Sequence, residues 1–262
     1  AAMMTGDKLN TDKLVSYIHD ARRLNITVIP PDVNMGEVNF IVNNDGEIVF
    51  SLSAIKGVGD GHVEQIVKER KENGPFKSLF DFCRRMDKAI ASKKVLEAMI
   101  LGGAFDKICA THRRSLVASL DDALMIASQS TSDRNNGCID IFAACGFDEF
   151  MDPPLKDVQP YSVKEKLHGE VENLGLYLTG HPLDSYKEEI KNFTNINISS
   201  IQVDPSVPEY AQPQEKITIC GVIVDLQRRI TKKGAPYLQG YIVDYSGKIL
   251  FNLWRDDYEK YN

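Results

Sequence analysis

A glycine-containing stretch in the first quarter of the chain has the residue types that could bind an anion. Between Leu52 and Ile66, apolar residues at helical spacing flank a turn with one valine between two glycines. The glycines permit backbone conformations with positive φ and leave the outer surface without side chains, while Val58 points inward. Main-chain amides would then lie unpaired at the positive end of the second helix. The predicted anion site comprises Lys56, Gly57, Val58, Gly59, Asp60 and Gly61.

This arrangement is typical of a helix-hairpin-helix motif, which binds the phosphate backbone of DNA without reading its bases. The alternative is a helix that ends at a glycine C-cap and is followed by an ordinary helix, with no ligand. A glycine pair alone would favour that alternative. The apolar residues on both sides of the turn, together with Lys56, favour the motif.

A second copy of the motif is predicted between Lys93 and Leu120, where a helix, a Gly102-Gly103 turn and another helix follow one another. Arg113 and Arg114 would lie near the start of its second helix, as further phosphate ligands. The alternative is that the two glycines only end a helix. On pattern alone, the two interpretations are equally supported.

The C-terminal part changes to strand patterns, at 217–224, 237–243 and 249–253, with a predicted bulge or sharp bend at Gly221 and a basic hairpin tip at 231–234. A long first strand, a basic loop and two more strands resemble the start of an OB-fold barrel, which binds single strands through basic loops and stacked aromatics. The alternative to a binding surface is that the basic residues are only solvated on a turn and the aromatic residues pack in the core. A complete five-stranded barrel would need two more strands than this sequence contains. The candidate residues are Arg228, Arg229, Lys232, Lys233, Tyr237, Tyr241 and Phe251.

Residues 128–137 are polar, and we expect them to be mobile. They are followed by the apolar segment Cys138, Ile139, Asp140, Ile141 and Phe142. Composition alone favours packing of this segment on its own domain. The alternative is a short linear motif that binds in a partner's pocket.

Composition limits the class of protein. The 262 residues carry a net charge of −6, so any contact with DNA must come from local patches, and binding should be weak and salt-sensitive. The five cysteines are scattered and odd in number, which argues against a zinc site or a disulfide framework and favours a reducing cytoplasm. The sequence shows no signal peptide and no membrane-spanning apolar run. Both ends look cut, which suggests a segment of a longer protein.

The elements that position these residues are mostly helices. Periodicity predicts helices at 10–24, 92–104, 112–127, 161–177 and 186–193, and another that starts at Leu79. A short strand is expected at 26–29, and Asn43 to Gly46 should turn a β-hairpin between 40–42 and 48–50. His181 is predicted to be a turn residue that makes a hydrogen bond, and the alternative is a catalytic role. The predicted fold is mainly α with a β-hairpin (a tandem helix-hairpin-helix domain), followed by a partial all-β OB-fold barrel.

Six stretches, taken together and in this order, resemble the family of the bacterial DNA polymerase III alpha subunit, a replicative polymerase. They cover most of the chain, and their combination is much more specific than any one of them. They are Asn10-Thr-Asp-Lys13, Val28-Ile-Pro-Pro-Asp-Val-Asn34, Ala54-Ile-Lys-Gly-Val-Gly59, Gly74-Pro-Phe76 with Phe80-Asp-Phe-Cys-Arg84, Leu101-Gly-Gly-Ala-Phe-Asp106, and Leu174-Gly-Leu-Tyr-Leu-Thr-Gly-His-Pro-Leu183.

The resemblance implies an architecture: 1–31 as the end of the fingers region, 32–192 as the tandem helix-hairpin-helix and clamp-binding domain, and 193–262 as the start of a truncated OB-fold domain. It makes the second hairpin copy the expected interpretation. It also implies that the segment 138–142 binds the sliding clamp, with Cys138 in place of the usual glutamine. That replacement removes an amide hydrogen bond, whereas Ile141 and Phe142 would still fill the clamp's pocket.

For function, the resemblance implies a part of a DNA-directed DNA polymerase, a nucleotidyltransferase of DNA replication in the bacterial cytoplasm. Its partners would be duplex DNA, the sliding clamp, single-stranded DNA and other replicase subunits, without a membrane. The family's chemistry uses carboxylates that hold two Mg²⁺ ions, and no such acidic set occurs here, so we expect no catalytic residues, no metal and no cofactor in this segment. The rivals are a purely structural helical scaffold and a stand-alone DNA-repair accessory.

Overall fold

The computed structural model describes residues 1–109, 111–135, 152–201, 217–231, 234–254, 257 and 260. The chain divides into two compact units. The first comprises residues 1–11 and 21–179, and the second comprises residues 12–20 and 180–262. Helices with a small sheet form the first, and the second contains a separate three-stranded sheet. The predicted fold class, a helical region followed by a partial β domain, is confirmed.

The core of the first unit lies among its helices and contains a cluster of buried phenylalanines. Phe82 and Phe105 are fully buried and meet edge to face, with ring centroids 5.2 Å apart. Phe76 packs on the other side of Phe82 at 4.8 Å. The helices are α1 (Ala2–Gly6), α2 (Thr11–Arg23, shared by both units), α3 (Asp60–Asn73), α4 (Leu79–Arg85), α5 (Lys93–Leu101), α6 (Arg113–Ala118), α7 (Leu120–Asn135) and α8 (Val163–Leu174).

A small sheet precedes the glycine turn. Its strands are β1 (Val28–Ile29), β2 (Ile41–Val42) and β3 (Ile48–Val49), in the order β1-β3-β2. β2 and β3 pair antiparallel, and Gly46 in the turn between them has a φ of +79°, so the predicted hairpin is confirmed. Leu52–Ala54 then forms one turn of 3₁₀ helix, which is shorter and tighter than the helix expected there.

The helix predicted after Gly103 differs in detail from the observed helices. The expected helix at 112–127 is divided at the buried Ser119 into α6 and α7. Residues 128–135, expected to be mobile, continue α7 to Asn135. Once the buried Ala123 and Ala127 anchor a helix, each further residue adds a main-chain hydrogen bond at little cost, so a polar sequence can propagate it.

The second unit carries α9 (Lys187–Phe193) and an antiparallel sheet of β4 (Val222–Ile230), β5 (Pro236–Val243) and β6 (Lys248–Trp254), in that order. Three strands were predicted, but β4 starts later and ends later than expected. The bulge lies between Val224 and Gln227, not at Gly221. A Cβ atom at Gly221 would lie 2.2 Å from Ile242, so the glycine allows close packing instead.

His181 is a turn residue, as predicted. Its Nδ1 accepts a hydrogen bond from the amide of Leu183 at 3.2 Å, and its own amide donates to Asp184 Oδ2 at 2.7 Å. The ring of Tyr245 packs against the imidazole at 4.5 Å. Burial and the hydrogen bond that Tyr245 donates to Asp184 together raise the pKa of Tyr245 to about 12.

Candidate nucleic-acid interface

The glycine turn joins the 3₁₀ helix to α3 through a bare stretch of main chain. Gly57 has a φ of +85°, whereas Gly59 is the extended N-cap of α3, so only one of the two glycines uses the left-handed region. Val58 is 4% exposed and points into the core, as predicted. A Cβ atom added at Gly57, Gly59 or Gly61 would meet nothing within 4 Å, so the outer surface of the turn is open.

The main-chain amides of this turn divide into two groups. The amide of Lys56 donates to the carbonyl of Asn173 at 2.8 Å, and that of Val58 donates to Ile55 at 3.0 Å. In the part of the chain that the structure describes, no carbonyl accepts from the amides of Gly57, Gly59, Asp60 or Gly61, and the last three belong to the start of α3. The first amides of a helix lack partners within it, so three donors converge at the positive end of α3.

The charges around these amides come from three side chains. Lys56 is exposed beside the turn. Asp60 is ion-paired with Lys8, whose Nζ lies 2.7 Å and 2.9 Å from the two carboxylate oxygens. The hydrogen bonds from Lys8 lower the pKa of Asp60. Sequence reasoning missed Lys8, because no local pattern connects residues 52 positions apart.

The second predicted hairpin brings Arg113 and Arg114 to the start of α6, but only Arg114 is exposed. Arg113 is 5% exposed and binds Asp106 at 2.7 Å and Glu170 at 3.1 Å. A side chain held in this way is not available to a phosphate group, so the structure removes Arg113 from the predicted site. The guanidinium of Arg114 lies 5.5 Å from the ring centroid of Tyr161.

The buried pair also explains the second glycine of this segment, Gly103. A Cβ atom at Gly103, where φ is +94°, would lie 2.6 Å from Arg113 Nη2. Glu170 is 0% exposed, and its carboxylate also accepts from the amides of Leu178 and Thr179, both at 3.0 Å. Gly103 therefore makes room for an ion pair that joins the second turn to α8.

The candidate clamp-binding residues Cys138, Ile139, Asp140, Ile141 and Phe142 lie outside the described residues. The described chain on the far side of this segment is held to the first unit. Asp152 accepts hydrogen bonds from Ser78 Oγ and, at 2.7 Å, from Arg84 Nη2. Four residues later, the hydroxyl of Ser115 donates to the carbonyl of Lys156 at 2.5 Å, and the amide of Lys156 donates to the hydroxyl of Ser119 at 2.8 Å.

The sheet of the second unit separates the other candidates onto two faces. Arg229 lies opposite Tyr237, which lies opposite Trp254, so these three residues share one face. Arg228 pairs with the buried Leu238 and belongs to the opposite face. Lys232 and Lys233 lie outside the described residues.

One aromatic residue on the Arg229 face was missed by sequence reasoning. Trp254 stacks on Tyr237 with centroids 4.2 Å apart and an interplanar angle of 21°. Its side chain remains 48% exposed. On the same face, Lys248 Nζ lies 3.9 Å from the ring centroid of Tyr241. Strand register could have indicated Trp254, but the predicted third strand ended one residue before it.

Within the described ranges, no group of three or more His, Cys, Asp or Glu residues is arranged to hold a metal ion. The Mg²⁺ that the resemblance implies for the parent polymerase therefore has no matching donor set in those ranges. No described helix combines the length and the apolar character needed to cross a bilayer.

Comparison with known proteins adds two results. Residues 25–116, which include the glycine turn, Gly102-Gly103 and most of the second predicted hairpin, match the family model described as a helix-hairpin-helix motif. Along its whole length the chain is 36% identical to the DNA polymerase III subunit alpha of Vibrio cholerae and 37% identical to that of Escherichia coli strain K12. Over 98% of the chain it is 36% identical to that of Pseudomonas aeruginosa.

The chain spans 22% of the length of each of these three relatives. The alignments with the first two relatives include the whole chain. They therefore cover the glycine turn, the second turn and the sheet of the second unit. Over its whole length, the chain therefore fits a segment of the bacterial DNA polymerase III alpha subunit.

Proposed function

We propose that this segment is a non-catalytic, DNA-binding part of a replicative polymerase, which holds duplex DNA by main-chain contacts to its phosphate backbone. The observation that carries the proposal is the set of amides at Gly59, Asp60 and Gly61, which have no carbonyl acceptor among the described residues and lie on an open surface. Amides at a helix N-terminus bind phosphate through hydrogen bonds and the helix dipole. Such contacts carry no base information, so binding should be independent of sequence.

Lys56 and Arg114 supply exposed positive charge near the two turns. With a net charge of −6, the chain as a whole does not attract DNA, and affinity must arise from these local groups. Weak, salt-dependent contacts of this kind suit a protein that moves along its template. A tether to a sliding clamp would then raise the local concentration of DNA.

The charge contribution is tested with Lys56→Glu, measured by fluorescence anisotropy with two duplexes of unrelated sequence in about 0.1 M salt. We expect about a tenfold loss of affinity for both duplexes and a shallower salt dependence, because one released counterion contributes about that factor. Lys68→Glu, on the exposed side of α3, changes the net charge equally and serves as the matched control. If Lys56→Glu and Lys68→Glu reduced duplex affinity equally, the loss would reflect net charge and not a contact at the glycine turn.

The main-chain contribution is tested in the same assay with Gly59→Val. The backbone of Gly59 (φ −81°, ψ 160°) accepts a branched residue, and nothing lies within 4 Å of its Cβ position, so the fold should be retained. The added side chain would cover the amides and weaken binding to both duplexes. Unchanged affinity, or a loss for one sequence only, would favour the scaffold alternative over a phosphate site.

We further propose that the segment from Cys138 to Phe142 binds the sliding clamp. Support comes from the resemblance of Asp140, Ile141 and Phe142 to the family's clamp peptide and from the anchoring of the chain after it, at Asp152 and Lys156. Anchored ends would keep such a peptide close to the DNA-binding unit. A single-strand contact on the Arg229 and Tyr237 face of the second unit completes the proposal.

The clamp contact is tested by titrating purified clamp into the chain with Phe142→Ala. Because the final aromatic residue would fill the apolar pocket, its truncation should weaken binding at least tenfold, as expected of a buried hot-spot residue worth about 2 kcal/mol or more. Ile139→Ala, at a position outside the matching triad, is the control. Clamp binding that survives Phe142→Ala would leave self-packing as the role of the segment.

A further inference from the structure

The proposed phosphate site contains a negative charge. Asp60 is the first residue of α3, and its own amide is one of the proposed donors. A carboxylate in the first turn of a helix usually interacts with the unpaired amides there, because the dipole favours an anion at that end. In that position it would compete with a phosphate group for the same donors and would also repel it.

The Asp60 carboxylate is instead directed to Lys8. Lys8 Nζ donates to its two oxygens at 2.7 Å and 2.9 Å, and to Ser53 Oγ at 3.2 Å. Ser53 is buried and donates to the carbonyl of Val38 at 2.6 Å. The Lys8 side chain is 19% exposed, against 56% for Asp60, so the lysine is the more firmly held partner.

No amide of α3 donates to this carboxylate among the described residues, and the N-cap Gly59 has no side chain with which to cap the helix. The first turn of α3 therefore lacks a side-chain acceptor from the described chain, although a suitable carboxylate is present. The ion pair with Lys8 accounts for this, since it occupies both oxygens of Asp60.

We propose that Lys8 is a positioning residue for phosphate binding, which holds the Asp60 carboxylate away from the α3 amides and neutralises it. This inference rests on the proposed function of the glycine turn. Without Lys8, the carboxylate either binds the amides itself or remains as an unpaired negative charge beside the phosphate. Each outcome should weaken duplex binding by about two- to fivefold, the usual size of one charge effect at a helix N-terminus.

A double-mutant cycle on the full chain tests the proposal. Duplex affinity is measured by anisotropy for the unmodified chain, Lys8→Met, Asp60→Asn and the double variant. Lys8→Met should weaken binding two- to fivefold, whereas the same change in the Asp60→Asn background should have little effect, because no carboxylate remains to be held. Lys68→Met removes an equal charge elsewhere and is the control, and Lys8→Arg should preserve affinity.

If Lys8 positions the carboxylate, Asp60→Asn alone and the double variant should both bind about as well as the unmodified chain. A purely structural role for the ion pair predicts weakened binding in both, because each loses the pair. An equal loss from Lys8→Met in both backgrounds would overturn the inference, as would no loss in the unmodified background. If Lys56→Glu and Gly59→Val weaken binding while Lys8→Met does not, this inference fails and the proposed function stands. If none of the three weakens binding, the proposed function itself is wrong.

Discussion

Arg113 and Arg114 are adjacent cations at the start of α6, and they have different environments. Successive helical residues point about 100° apart, so one side chain is directed to the core and the other to solvent. Arg113 fills the space left by Gly103 and binds two carboxylates, whereas Arg114 remains exposed. Whether an arginine can bind a phosphate group therefore depends on whether carboxylates of the protein already bind its guanidinium.

The residue-scale prediction concerns Glu170. Glu170→Ala leaves Arg113 with one carboxylate partner and leaves the amides of Leu178 and Thr179 without theirs. Removing one member of a buried ion pair costs about 3–5 kcal/mol, and we expect a loss of that size in the free energy of unfolding. Urea denaturation followed by circular dichroism measures it.

Glu172→Ala is the matched control, since Glu172 lies on the same helix and its side chain is 60% exposed. Its effect should stay within about 0.5 kcal/mol. A similar loss in both variants would show that the helix propensity of α8, and not the buried pair, determines the stability of this region.

In the sheet of the second unit, strand register determines which candidate residues lie on the same face. Alternate residues of a strand point to opposite faces, so Arg228 and Arg229 cannot act together on one face. The Arg229 face carries Tyr237 and Trp254, and Trp254 covers one side of the Tyr237 ring. The exposed aromatic surface at this end of the sheet is therefore largely that of Trp254.

Trp254 is the single tryptophan of the chain, which permits a direct test of the proposed single-strand contact. If a base stacks on its indole, an oligo-dT should quench the tryptophan emission, and a duplex should not. Trp254→Leu should weaken oligo-dT binding about tenfold or more, because one base–aromatic stack contributes about 1–3 kcal/mol. Trp254→Phe should retain most of the affinity. Tight binding of oligo-dT with unchanged emission would place the contact elsewhere.

For the whole molecule, the division into two units separates two proposed contacts. The glycine turn, Lys8 and Arg114 belong to the first unit, and the aromatic face of the sheet belongs to the second. Since the net charge is negative, neither unit should bind nucleic acid through a general field, and each contact should be lost with its own residues.

Removal of residues 217–262, compared with the full chain, tests this separation. Single-strand affinity should fall to background, while duplex affinity and its salt dependence should change less than about twofold, since all proposed phosphate ligands lie before Thr179. The same anisotropy assay measures both substrates. A parallel loss of duplex binding would show that the second unit takes part in holding the duplex.

The sequence by itself determined the local features of this protein. The glycine turn with Val58 inward, the hairpin at Asn43 to Gly46 and the turn at His181 follow from short-range rules of backbone conformation and capping. The family could also be identified from short stretches in a constant order. Each of these signals is contained in a few consecutive residues, so it can be recognised without knowledge of how the chain packs.

Only the tertiary structure decided which charged groups face solvent and which are neutralised. Lys8 meets Asp60, and Arg113 meets Glu170, across 52 and 57 residues of sequence. The stacking of Trp254 on Tyr237 depends on the register of two strands. Burial and ion pairing depend on which distant segments the fold brings together, and no local pattern records that information.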